Sequence, residues 1–364
     1  MPSYFRSGAG LASLLPLLPL APLAPLAMLA LAAMTLASCA GPGPLTTRDR
    51  EEKISGRVFV ITGASSGLGR GVAEKLGSYG ASVVLAARRT EVLEEVAAQV
   101  RAAGGQALVV TTDVSQPDQV ARLAGEALGR FGRIDVWINN AAVASLGRFE
   151  DVPIEDHARI VDVNLKGVIF GSHAALKQFK AQGQGVLVNL GSVESRIPMP
   201  YHASYAATKH AILGLDNALR QELRLAGERN IQVTTIMPWA LDTPYWVHTG
   251  NYTGHSPRMA TMEGPERVVD AIIHASIAPR REVAVGFKAN AALLGHQVAP
   301  ALTERFSADV VHRSQMKDAP PAPDGSGSVH RPMPEGTGVE GGVRERMRRE
   351  DAGQASGEAV PAAP

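Results

Sequence analysis

The chain holds a single cysteine, Cys39, among 364 residues. One thiol excludes both an intramolecular disulfide framework and a cysteine-built zinc cluster. An excess of either charge is also missing: 36 Lys+Arg stand against 35 Asp+Glu, a formal net charge of +1. A nucleic-acid binder normally presents a basic face, so this balance gives no reason to expect nucleic acid. Nor is a metal expected, since His248, His255 and His274 are too scattered to converge. What is present is ordinary for a globular chain, 45% hydrophobic and 20% charged residues, which excludes global disorder.

An uninterrupted membrane span is lacking too. Leu11 to Ala37 carries no charge, but Pro16, Pro19, Pro22 and Pro25 break it. Each interior proline costs a helix roughly 3 kcal/mol. The unbroken part, Leu26 to Ser38, has the size of a signal-peptide core. It ends in Leu36-Ala37-Ser38-Cys39, which resembles the bacterial lipoprotein box. That resemblance implies cleavage before Cys39, lipidation of Cys39 and attachment to a membrane through the N-terminus. A retained anchor and a true start further along fit the same residues. Residues 1–38 are therefore set apart as signal peptide or anchor, and 39–52 as a polar tether.

Residues 53–317 show a different pattern. Apolar, β-rich runs occur at Arg57–Thr62, Ser82–Ala87, Ala107–Thr111, Ile134–Ile138, Gly185–Leu190, Ile231–Met237 and Glu282–Val285. Helical spacing separates them, as in Glu91–Ala102, Gln119–Leu128 and Ala206–Leu225. Strands apolar on nearly every residue, alternating with helices, predict a parallel sheet covered on both faces. The expected fold is one doubly wound α/β domain of the Rossmann type with about seven strands. Beyond Lys317 the composition shifts to Pro, Gly, Ala and Ser, so 318–364 are expected to be a mostly disordered tail. Within it Arg344–Glu350 reads as a solvated charged run, with a short helix as the alternative.

The first strand runs into Gly63-Ala64-Ser65-Ser66-Gly67-Leu68-Gly69 and then a helix. Glycines there let backbone amides approach a pyrophosphate, and the helix N-terminus adds a favourable dipole. The second strand ends Ala86-Ala87-Arg88-Arg89, without the acid that holds a ribose in NAD sites. Guanidiniums pair bidentately with phosphate, so NADP(H) is favoured over NAD(H). Tyr205 and Lys209 lie four apart on one helix face. A neighbouring ammonium is expected to lower the phenol pKa toward the working range of an acid/base.

The ordered set T-G-x-x-x-G-x-G, Asn139-Asn140-Ala141-Ala142 and Tyr-x-x-x-Lys resembles the short-chain dehydrogenase/reductase family, from Lys53 to about Val285. The resemblance implies an oxidoreductase that interconverts a carbonyl and an alcohol. It implies Asn164, Ser192, Tyr205 and Lys209 as the catalytic set. Ser192 would stabilise the reacting oxygen and Asn164 would preserve a water-linked relay to Lys209. It places the cofactor on Gly63, Ser65, Ser66, Gly67, Leu68, Gly69, Arg88, Arg89, Asp113, Val114, Asn140 and Thr243, together with Tyr205 and Lys209. Two departures stand out: Ala142 where the family has glycine, and Trp239 where it has glycine after the sixth strand. Trp239 puts that loop's backbone angles in question.

Pro244 to Gly264 falls where the family keeps its variable substrate lid, and Trp239 and Trp246 join Ser192 and Tyr205 as expected substrate contacts. The region past the seventh strand looks like that of longer relatives that reduce lipophilic ketones. Family members pair through long helices, so a homodimer or homotetramer is expected, with Val161–Phe179 and Ala206–Leu225 as faces. The rival class is a dinucleotide-binding sensor or scaffold without turnover. The leader sets up a conflict, because export would separate the domain from cytoplasmic NADPH.

Overall fold

The computed structural model describes residues 46–356; the leader and Cys39 lie outside the described residues. The chain divides into two compact units at Asp49/Arg50, and the sheet belongs to the second. Part of the expected tether is helix, since Thr47–Ile54 is α-helical.

The strands are β1 Val58–Thr62, β2 Ser82–Ala87, β3 Gln106–Thr111, β4 Val136–Asn139, β5 Ser145–Leu146, β6 Gly185–Leu190, β7 Ile231–Pro238, β8 Gly250–Asn251 and β9 Glu282–Val285. Seven form one sheet in the order β3-β2-β1-β4-β6-β7-β9, and β5 pairs with β8 apart from it. Every neighbouring pair of the large sheet is parallel, for example Val60 against Val84 and against Trp137. Each expected strand is found, within two residues at each end.

Side chains alternate across the sheet, which splits the core in two. Phe59, Ile61, Val83 and Leu85 pack with Leu76, Val96 and Ile272 on one face. Val58, Val60, Val84 and Trp137 pack with Leu123, Ala175 and Phe179 on the other. All of β1 is buried, as burial on both faces requires. The order reverses between β1 and β4, so loops leaving their C-terminal ends part into a crevice.

The C-terminal expectation is overturned. Segment 318–353 lies on the body: Val329 is 0% and Val343 1% exposed, and Val343–Ser356 is helical. Its charged helix is not fully solvated either, because Glu350 is buried, accepting a hydrogen bond from Ser256 Oγ at 3.0 Å. A Pro/Gly-rich segment cannot build its own core, but it orders where an existing surface supplies apolar contact and hydrogen-bond donors. Here arginines supply the donors.

Among the described residues, no helix is long and apolar enough to cross a membrane, and no His/Cys/Asp/Glu group could hold a metal ion.

Candidate active site

The turn after β1 needs glycine for two different reasons. Gly63 and Gly67 have φ of +68° and +55°, a region that disfavours side chains. Gly69 has no room: a Cβ there would stand 2.3 Å from Gly63 O. Asn140, at the end of β4, braces the turn by donating from Nδ2 to Thr62 O (3.0 Å) and Gly63 O (3.1 Å). Its side chain is thus committed to the turn rather than directed at a ligand. The helix Gly67–Ser78 then presents its N-terminus to the crevice. This cradle fits a nucleotide pyrophosphate, since amides and dipole converge where no Cβ intrudes.

Asp113, past β3, is held by a partner that the sequence does not signal. Arg159 Nη2 donates to Asp113 Oδ2 at 2.6 Å, and Ser115 N and Oγ donate to Oδ1 at 3.0 and 2.8 Å. Burial alone would raise the carboxyl's pKa, but the hydrogen bonds from Arg159 and Ser115 hold it below the usual range. Arg159 faces the crevice from helix Ile154–Val161, forty-six residues away in sequence, so no local spacing marks it.

Arg88 and Arg89, at the end of β2, are both occupied by the C-terminal segment. Arg88 donates to the carbonyls of Ser328 (2.6 Å) and His330 (3.0 Å); Arg89 Nη1 donates to those of Met333 (3.0 Å) and Glu335 (3.1 Å). Gly67 N donates to Gly338 O at 2.8 Å. Ser328, Pro332 and Met333 become cavity wall.

The remaining side chains meet beyond β6 and along helix Ala203–Leu225. Ser192 caps the short turn Val193–Ser195, its Oγ accepting from Glu194 N at 3.1 Å. Lys209, 3% exposed, donates from Nζ to Leu190 O at 2.6 Å, with Nζ 5.3 Å from the Tyr205 ring centroid. Asn164 is fully buried in a π-helical segment, Asp162–Lys166, of a kind often found at functional sites. Its Oδ1 accepts from Val143 N (2.8 Å) and its Nδ2 donates to Val143 O (2.9 Å), beside Thr208.

The proton energetics correct one expectation. Burial first, and then the Glu194 carboxylate, push the Tyr205 pKa up, against hydrogen bonding with Ser192 and Tyr245. Burial pushes Lys209 down to about 8, against Glu194. The ammonium one turn away does not overcome desolvation of the phenol, because the same burial loosens its own proton. Glu194 and His202 belong to no motif in the sequence. Both are buried, His202 Nδ1 lies 3.1 Å from Glu194 Oε1, and the imidazole stands 5.0 Å from the Tyr205 ring.

A cavity of about 270 Å³ connects these groups, lined by Gly63, Asp113, Val114, Ser192, Tyr205, Lys209 and Thr243 among others. Ser65, Ser66, Gly67, Leu68, Arg88, Arg89 and Asn140 also line it; Gly69 and Asn164 do not. Trp239 and Trp246 do. Among the described residues only Tyr201 and Thr261 are non-glycine residues with positive φ, so Trp239 does not need the backbone conformation that favours glycine. Trp246 is buried, bonds Leu241 O at 2.9 Å and stacks on His202.

A family model described as "short chain dehydrogenase" matches residues 57–251. An uncharacterized oxidoreductase of Bacillus subtilis, YxnA, is 35% identical over 282 residues, 77% of this chain and 79% of that protein. The 3beta-hydroxysteroid dehydrogenase 1 of Eggerthella lenta is 35% identical over 212 residues, 58% of this chain and 79% of its own. A short-chain dehydrogenase/reductase from Burkholderia phymatum, solved with NAD, superposes with a TM-score of 0.61 at 26% identity, covering 71% of this chain and 97% of its own. An alcohol dehydrogenase from Thermococcus sibiricus, solved with 5-hydroxy-NADP, gives a TM-score of 0.55 at 27% identity over 63% and 95%. The chain belongs to the short-chain dehydrogenase/reductase family of oxidoreductases.

Proposed function

We propose that the protein is an NADP(H)-dependent oxidoreductase that interconverts a lipophilic ketone or aldehyde and its alcohol, with Tyr205 as general acid/base. The observation that carries this is the cavity that joins the glycine cradle to Ser192, Tyr205 and Lys209. When bound, the nicotinamide dinucleotide would supply the hydride in reduction and accept it in oxidation. Ser192 Oγ holds the substrate oxygen and stabilises negative charge on it. Tyr205 delivers the proton to that oxygen in reduction and removes it in oxidation. Lys209, anchored by Leu190 O, sets the electrostatic environment of the phenol. Asn164 fixes the backbone at Val143 beside that pair.

Arg88 and Arg89 support NADP(H), because no carboxylate holds a ribose hydroxyl there while two guanidiniums can meet a 2′-phosphate. Asp113 and Val114 line the adenine side, and Thr243 stands against Gly67 on the nicotinamide side. Trp239, Trp246, Met199 and Met259 make the substrate end apolar, which favours a lipophilic ligand. The leader and Cys39 support membrane attachment. So do Phe287, Leu294, Val298, Leu302 and Phe306, large apolar residues left exposed on helices Gly286–Val298 and Pro300–Met316. Fractionation with mass spectrometry of the mature N-terminus tests that attachment; unmodified Cys39 in a soluble fraction refutes it.

The test of the activity is Tyr205→Phe assayed by NADPH absorbance against a panel of ketones and aldehydes. Turnover should fall by orders of magnitude while NADPH still binds. A dinucleotide sensor would show no turnover in either form.

A further inference from the structure

We propose that residues 326–342 form a strap that competes with the 2′-phosphate of NADP(H) for Arg88 and Arg89, making the chain's own C-terminal segment a determinant of cofactor choice. The proposal rests on the NADP(H) reading above, and its test separates the two.

The strap is built around neutral acceptors. Four carbonyls, of Ser328, His330, Met333 and Glu335, take both terminal nitrogens of Arg88 and Nη1 of Arg89, whose Nη2 donates to Ser65 Oγ at 3.1 Å. Thr337 O takes Arg70 Nη1 at 3.0 Å, and Gly338 O takes the amide of Gly67. Of these donors Arg88, Arg89 and Gly67 line the cleft. A guanidinium bonded to carbonyls is satisfied but not neutralised. A phosphate dianion adds an opposite charge and bidentate geometry to the same nitrogens, so it outcompetes the neutral carbonyls for them.

Both ends of the strap are pinned independently of Arg88 and Arg89. At one end Gly325 exchanges backbone hydrogen bonds with Asn251, at 2.7 and 2.9 Å. At the other, Asp242 accepts from Val343 N at 2.7 Å and from Arg344 N at 3.2 Å. Val329 stays in the core, so it is the stretch 330–338, held at both ends, that can draw back from the cleft without leaving the molecule. Between the ends, polar anchors outside Arg88 and Arg89 are His330, with Nε2 2.7 Å from Asp156 Oδ1, and His248, whose O accepts from Ser328 N at 2.8 Å and whose Nε2 lies 3.0 Å from Glu335 O. Of these, His330 is the one on the strap itself whose side chain makes the bond. Its side chain is 43% exposed, so it can be replaced without opening the core. A dinucleotide without a 2′-phosphate sets no charge against the four carbonyls on Arg88 and Arg89; its pyrophosphate contests only Gly338 O, and the strap stays seated on the two arginines.

The full chain is tested with NADP⁺ and NAD⁺ as probes, by hydrogen exchange and by calorimetric Kd. NADP⁺ should speed amide exchange across 330–335, and NAD⁺ should not. His330→Ala should tighten NADP⁺ by about five- to tenfold, the order expected from losing one such anchor. NAD⁺ affinity should not move, and His330→Gln, which keeps a donor for Asp156, should stay near wild type. If NADP⁺ binds and slows exchange in the strap, or if His330→Ala weakens both nucleotides, the strap is a cover rather than a competitor and the proposal is overturned. If NAD⁺ outbinds NADP⁺ in wild type and in His330→Ala alike, the NADP(H) reading fails. The strap is then judged on its own, standing if the NADP⁺ Kd still tightens in His330→Ala and falling if it does not.

Discussion

Lys209 Nζ stands 5.3 Å from the centre of the Tyr205 ring, one helical turn along, and burial drives the two groups' pKa values in opposite directions. Desolvation disfavours whichever form is charged, so it holds the proton on the phenol and loosens it from the ammonium. Glu194 acts on both in the same sense, raising each. The acid/base pair is therefore set by burial first and then adjusted by a third residue that lies outside the Tyr-x-x-x-Lys motif.

Replacing Glu194 with Gln removes that anion. Both Tyr205 and Lys209 should then titrate lower, and the pH profile of kcat/KM should shift toward acid on every limb that either group controls. The wild-type anchor for the comparison is Lys209, near 8. A profile that keeps its midpoints in the variant would show that Glu194 is electrostatically silent.

Gly69→Ala forces a methyl to within 2.3 Å of Gly63 O. That backbone cannot retreat without opening the turn braced by Asn140. Dinucleotide affinity should fall at least tenfold, measured by titration calorimetry, with a lowered Tm. Gly129, on an exposed helix with open space around its Cβ position, is the control site, where alanine should be neutral or mildly stabilising.

Arg159→Met frees the Asp113 carboxylate from its closest partner. The Asp113 pKa, followed by carboxyl NMR, should rise. A depressed folded-state pKa contributes stability above the unfolded value of about 3.8, lost as pH falls through the folded value. The variant should therefore be less stable than wild type at neutral pH. The gap should close as the solution is acidified below about pH 4. A gap that persists at low pH would place the effect in packing instead.

Val329→Ala tests whether the C-terminal segment is part of the fold. Val329 is fully buried against the core that holds Trp137 and Val60. Losing its methyls should cost about 1–2 kcal/mol in denaturant unfolding. A loose tail would register nothing.

Much of this is legible in one dimension. The seven strands can be read because residues buried on both faces of a sheet must be apolar at nearly every position. The glycine turn can be read because glycine is favoured at positive φ and is required where a Cβ would stand 2.3 Å from a backbone oxygen. Tyr205 and Lys209 can be paired because four residues is one helical turn. What cannot be read has a common cause. Arg159 reaches Asp113, Glu194 reaches His202 and tunes Tyr205, and Ser328 reaches Arg88, across gaps that carry no periodicity. Composition also misleads at the C-terminus, because it measures what a segment can bury alone.

The sequence by itself therefore determined the sheet, the cradle and the helix face that carries the phenol and amine, since each follows from backbone sterics and local spacing. Only the tertiary structure decided what surrounds them: a carboxylate that shifts two protons, an arginine that claims Asp113, and a strap seated on Arg88 and Arg89. Those depend on desolvation and on partners brought together by the sheet's strand order, and both quantities exist only once the chain has closed on itself.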